Sequence, residues 1–105
     1  MIFVEFTAFT RDIQSLLSDE SYARLQARLV VRPDLGDIIP GSGGIRKLRW
    51  GLPGQGKSGG ARIIYYWAVS TDRILLLRAY AKSAKVDLTQ REISLLHQAV
   101  AKEFP

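Results

Sequence analysis

From Ile2 to Phe6 apolar and polar residues alternate weakly, the period of a short strand. The period then lengthens: Phe9, Ile13, Leu16 and Leu17 recur at helical spacing. Ser18 followed by Asp19 and Glu20 has the form of an N-cap with acids in the first turn, and so predicts a second helix. On that helix Tyr22, Leu25 and Leu29 share a face, while Arg24, Arg28 and Arg32 fall mostly elsewhere; Pro33 and Gly36 end it. Gly41-Ser42-Gly43-Gly44 predicts a flexible break, after which the pattern turns extended. Strands are expected over Ile45 to Trp50, over Ala61 to Val69, and over Arg73 to Tyr80. The Ser70-Thr71-Asp72 turn is too short for anything but an antiparallel pair. Thr89-Gln90-Arg91-Glu92 is a capping box opening a helix that buries Ile93, Leu96 and Val100. The order β-α-α-β-β-β-α predicts the α+β class: a small antiparallel sheet with two N-terminal helices and one C-terminal helix packed against it.

Length, 105 residues, sets this as a single domain over 1–105 with a modest core. Cysteine is absent, one histidine is present and the acids are scattered. That pattern excludes a disulfide framework and a thiolate zinc site, and no metal or cofactor is expected. It also excludes a two-histidine ribonuclease, and no base and orienting acid present themselves for a serine triad. His97 reads as a helix-face residue beside Ile93 and Leu96. No apolar run approaches the about 20 residues of a membrane span, and the N-terminus lacks the basic start of a secretory signal. The expectation is an unprocessed, cytoplasmic chain with no membrane partner.

The charge distribution changes the picture most. Net charge is +5, but Arg46 to Lys85 holds nine basic residues against Asp72 alone, so this segment carries +8 and the remainder −3. Trp50, Tyr65, Tyr66, Trp67 and Tyr80 lie in the same segment. A basic half laced with aromatics points to a polyanionic partner, nucleic acid first.

Within it Gly51, Gly56, Lys57 and Ser58 match the spacing of a phosphate-binding P-loop. Such a loop needs a helix after it, whose N-terminal amides face the phosphates. Here Gly59-Gly60 and then the strand-forming Arg62-Ile63-Ile64-Tyr65-Tyr66 follow, and no magnesium-holding aspartate ends an apolar strand. The nucleotide reading fails, leaving a glycine-rich hairpin loop with Lys57 at its base.

Strand alternation groups the other cations. Lys47 and Arg49 share one face with Leu48 and Trp50 opposite; Arg62, Ile64 and Tyr66 share a face; so do Arg78, Tyr80 and Lys82. A sheet covered by helices on its other side would present these as a basic, aromatic floor.

The stretches GSGGIRKLRW, GKSGGARIIYYW and LLLRAYAKSAKVDLT, in this order, resemble the RelE-like toxins of toxin–antitoxin modules, and the HigB-type branch most. LSDESYARLQARLVVRPDLGDIIPGSGG fits that branch too, so the resemblance spans nearly the whole chain. It implies a small α+β endoribonuclease that cleaves mRNA on the translating ribosome. It also implies a helix-turn-helix antitoxin as partner, with operator DNA reached only through that antitoxin. On this resemblance Lys47 and Arg49 match the basic strand before the loop, and Lys57 the loop lysine. Arg62 matches the arginine opening the next strand, and Lys82 the basic position after the last one. Two positions depart from the RelE pattern: Ser83 stands where an arginine is usual, and Ala84 to Thr89 contains no tyrosine.

The chemistry to be served is attack of a ribose 2′-hydroxyl on the adjacent phosphate, which needs alignment, a base, an acid and relief of the extra negative charge. Arg62, Lys82, Lys57 and Lys47 are the candidate catalytic residues. Arg62 and Lys57 hold the phosphate, and Lys47 or Lys82, whose ammonium form neighbouring cations disfavour, moves protons. Arg46, Arg49, Tyr66, Arg78, Tyr80 and Lys85 are the candidate RNA-binding residues, the tyrosines by stacking. Two alternatives stay open: a ParE-like toxin that binds a protein such as DNA gyrase without cutting RNA, and a plain RNA-binding module.

Overall fold

The computed structural model describes residues 1–53 and 60–104. Along them run β1 (Ile2–Glu5), α1 (Thr7–Leu16), α2 (Asp19–Val31), β2 (Asp37–Ile38), β3 (Arg46–Leu52), β4 (Gly60–Ala68), a 3-10 turn (Val69–Thr71), β5 (Arg73–Ala81) and α3 (Gln90–Glu103). The α+β class and the three helices are as the pattern predicts. One strand is new: β2 has two residues, too few for alternation to register.

The strand order is β1-β5-β4-β3-β2. β2 to β5 pair antiparallel, as short connections require, but β1 joins β5 in parallel, with Ile2 opposite Arg73 and Glu5 opposite Leu76. The sheet is therefore mixed, a correction to the antiparallel expectation. The whole run from α1 to β4 separates β1 from β5 in the chain, which leaves ample length for a parallel crossover. β5 is thereby interior, and Ile74, Leu75, Leu76 and Leu77 are all fully buried. A strand covered on both faces needs no alternation, which is why its sequence is continuously apolar.

Helices cover both faces. On one, Phe9 and Ile13 of α1 and Leu25 and Leu29 of α2 pack with Leu48, Ile63, Tyr65, Ile74 and Leu76. Full burial of a leucine such as Leu25 contributes about 2 kcal/mol. On the other face, Val100 and Leu96 of α3 pack with Ile45, Ile64, Leu75 and Leu77. Both later helices start on the predicted caps. Ser18 Oγ accepts from Ser21 N at 3.1 Å; Thr89 Oγ1 accepts from Glu92 N at 3.1 Å, while Thr89 N donates to Glu92 Oε1 at 2.8 Å. Each cap is worth about 1 kcal/mol.

Two local features aim the sheet. Between Ile64 and Tyr65 the β4–β5 register slips, so Ile64 faces Arg78 while Tyr65 faces Leu76, leaving Leu77 as the extra residue. This bulge resets the alternation and puts Tyr80 opposite Arg62. The second is the Gly41–Gly44 stretch, which is a hydrogen-bonded turn rather than a flexible break. Ser42, 1% exposed, donates from Oγ to Ile39 O at 2.6 Å and accepts there from Ile45 N at 3.0 Å. His97 Nδ1 lies 3.1 Å from Ser42 O; a carbonyl can only accept, so the nitrogen carries the proton. Gly43 is at φ 76°, and a Cβ there would run into the His97 ring. His97 therefore ties α3 to the turn that launches β3.

Candidate active site

Cross-strand register places Arg49 opposite Arg62, and Arg62 opposite Tyr80; one step further in, Lys47 faces Ile64. Residues directly opposite share a face, so Lys47, Arg49, Arg62 and Tyr80 gather from three strands. Lys82 lies two residues beyond Tyr80, its N–H bonded to Gly60 O at 2.9 Å, and joins the same set. This is the face that α3 covers around Ile64, Leu75 and Leu77. The expected open floor is thus reduced to one end of the sheet: the later part of β3, the start of β4 and the end of β5.

Like charges placed directly opposite destabilise a sheet unless an anion is near. The anion here is Asp87, in the segment leading to α3. Lys47 Nζ donates to its Oδ1 at 2.7 Å, and Lys47 first, then the charges of Arg62 and Lys82, hold its carboxyl below the usual range. One of the candidate catalytic cations is therefore paired with this carboxylate, and the charges of two others act on it. The sequence reading missed Asp87; the available signal was that it is the first acid after the basic run.

Arg62 is the inner member, 3% exposed, with Nη1 donating to Ala61 O at 3.2 Å. Lys47 and Lys82 are half-buried and Arg49 is exposed, so they form the rim. The Tyr80 hydroxyl is buried with no hydrogen-bond partner among the described residues. Burial, reinforced by the negative charge of Asp87, pushes its pKa up against the pull of Arg62, so the phenol stays protonated and able to donate.

The remaining sequence candidates are placed elsewhere. Arg46 lies opposite Tyr65, on the other face, and donates to Gly36 O at 2.8 Å and Asp34 O at 3.3 Å. Arg78 leaves the sheet sideways to Asp12 of α1, Nε to Oδ2 at 2.7 Å, and this pairing raises its pKa. Lys85 is paired with Glu92 at 2.8 Å. Tyr66 packs in the core beneath α3, its ring 6.2 Å from that of Phe104. Lys57, with the glycine loop around it, lies outside the described residues. Among the described residues no three His, Asp or Glu side chains form a group able to hold a metal ion, and no helix is long and apolar enough to cross a membrane.

A mixed five-stranded sheet between two N-terminal helices and one C-terminal helix, with cations gathered at one end, defines a small α+β protein. Residues 11–104 match a family model described as the RelE toxin of the RelE/RelB toxin–antitoxin system. The chain belongs to the RelE toxin family; it is the toxin of a toxin–antitoxin module and has an antitoxin as its partner.

Proposed function

We propose that this toxin is a HigB-type, ribosome-dependent endoribonuclease that acts in the cytoplasm, cutting mRNA without a metal ion and arresting translation. The observation that carries this reading is the gathering of Lys47, Arg49 and Arg62 on one face of the sheet, with Lys82 just past β5, around Asp87, with which Lys47 pairs. A cluster of cations that already holds an anion in the free protein suits a phosphodiester, with its charge rising toward the transition state.

In this mechanism the scissile phosphate takes the place of Asp87. Lys82 and Arg62 stabilise the pentacoordinate phosphorane, with Arg62 as the buried inner charge. Lys47, released from Asp87, gives up an ammonium proton to water and, as the neutral amine, accepts the proton of the attacking 2′-hydroxyl. The Tyr80 phenol, neutral and without a hydrogen-bond partner among the described residues, hydrogen-bonds the substrate beside the leaving 5′-oxygen. Arg49 on the rim holds a neighbouring phosphate. The antitoxin is expected to be a helix-turn-helix protein that occludes this end of the sheet and brings the pair to operator DNA.

Primer extension on messages from cells expressing the toxin tests this. Codon-phased cuts are expected, and they should vanish with Lys82→Ala. DNA damage without RNA cuts would instead support a ParE-like gyrase poison, and neither outcome a plain RNA binder.

A further inference from the structure

A second concave site lies around the outer edge of β3, apart from the Asp87 cluster. It is a cavity of about 300 Å³ lined by Ser21, Arg24, Arg28, Leu48, Arg49 and Trp50, among others. β2 pairs only with Arg46 and Lys47, so β3 beyond Lys47 has no β2 partner, and the cavity opens there. Its floor is apolar, with Leu48 buried and the Trp50 indole half-buried. That indole is held in place by Nε1 donating to Ser21 Oγ at 3.0 Å. Its rim is cationic. Arg24 and Arg28 stand one turn apart on α2, about 6 Å along its axis, and Arg32 at the C-cap extends the stripe. The only carboxylates paired to this stripe among the described residues are exposed Glu20 on Arg24 and exposed Asp34 on Arg32, pairs that contribute little in water. Arg49 joins the two regions: it lines this cavity, and it stands directly opposite Arg62 in the sheet.

We propose that this cavity and the α2 arginine stripe form a second subsite for single-stranded RNA, holding nucleotides that flank the one being cut. The inference rests on the nuclease reading and deepens it. An aromatic and aliphatic floor takes a base by stacking, while regularly spaced arginines follow the backbone, the combination used by sequence-tolerant single-strand binders. Continuity through Arg49 gives the chain a path from the scissile phosphate over the β3 edge to α2. An acidic protein segment would satisfy the arginines but would leave the indole floor without a stacking partner, so RNA is favoured.

Trp50 reports on the site directly. In a Trp67→Phe background it is the sole tryptophan, and Trp67 Nε1 has no hydrogen-bond partner among the described residues for that change to break. The probes are 2′-O-methyl oligonucleotides, which cannot be cut: a dinucleotide and a single strand several times longer. The longer strand is expected to quench Trp50, and the dinucleotide to bind without quenching. An Arg24→Glu/Arg28→Glu variant should lose the quenching and bind the longer strand roughly tenfold or more weakly, with a shallower salt dependence. It should bind the dinucleotide as the parent does. Equal binding of the longer strand by parent and variant, or an unquenched Trp50, would overturn the subsite. So would a variant that also loses the dinucleotide, or an acidic peptide that quenches Trp50 where RNA does not. A parent that binds neither oligonucleotide would also overturn the subsite, while the ribosome-dependent nuclease reading stands or falls separately on the codon-phased cuts.

Discussion

Replacing Asp12 by alanine separates a structural arginine from a substrate-binding one. Asp12, with 18% of its side chain exposed, accepts Arg78 Nε at 2.7 Å, Arg78 Nη2 at 3.4 Å and the peptide N–H of Ala79 at 2.9 Å. β1 pairs with β5 only as far as Leu76, so the Ala79 N–H lies on an edge that no strand satisfies. Removing its charged acceptor costs about 2 kcal/mol. The Arg78 side chain is 42% exposed, so solvent screens its share of the pair to about 0.5–1 kcal/mol. Asp12→Ala should therefore lose about 2–3 kcal/mol, a fall of about 10–15 °C in Tm for a chain of this size. Asp12→Asn keeps an acceptor for Ala79 and should lose about 1 kcal/mol. Urea unfolding of Asp12→Ala, Arg78→Ala and the double variant gives a coupling energy, expected at about 0.5–1 kcal/mol. An Asp12→Ala protein within about 0.5 kcal/mol of the parent would refute the reasoning. An Arg78→Ala protein of parental stability that no longer cuts RNA would return Arg78 to the substrate.

Other substitutions probe separate parts of the account. Tyr65→Phe removes a hydroxyl that accepts from Gly36 N and donates to Pro33 O, both at 2.8 Å, and should cost about 2 kcal/mol by thermal unfolding; parental stability would contradict it. Lys85 first, and then the Thr89 N–H, hold the Glu92 carboxyl below its ordinary range. A depressed folded pKa gives stability that is present above the unfolded value and lost as pH falls through the folded one. Glu92→Gln should therefore be a few tenths of a kcal/mol less stable at neutral pH, with the gap closing in urea titrations as pH falls below the ordinary carboxylate range; a gap that widens in acid would be wrong in sign. Asp87→Asn removes the carboxylate that competes with phosphate for Lys47, so binding of uncleavable RNA should tighten in low-salt filter binding while cleavage persists. Loss of cleavage with unchanged binding would instead make Asp87 a proton carrier.

Much of the fold was legible because local signals agreed. The Ser18 cap, the Thr89–Glu92 box and the apolar run of β5 each have a period or a cap that the chain cannot conceal. Where reading failed, the cause was long-range. Nothing near Ile2 says that β1 joins β5 in parallel, and a two-residue strand leaves no period to detect. At the site, strand alternation correctly grouped Lys47 with Arg49, and Arg62 with Ile64, since those are properties of one strand. It gave no warning that Arg78 has Asp12 within reach, 66 residues earlier in the chain. Nor did it reveal that a bulge at Leu77 sets Tyr80 opposite Arg62. The Gly41–Gly44 stretch misled for a similar reason: composition suggested freedom, but Ser42 and the distant His97 close the turn.

The central claim is that one end of the sheet grips an RNA phosphodiester while its own 2′-hydroxyl attacks. A reconstituted translating ribosome carrying a message with a single 2′-deoxy nucleotide at the cut position tests this most directly. The account predicts that the all-ribose message is cut to leave a 2′,3′-cyclic phosphate, that the deoxy message survives, and that Lys47→Ala and Lys82→Ala each slow the cut by about a hundredfold or more. Cleavage of the deoxy message, or undiminished cleavage by both folded variants, would contradict it.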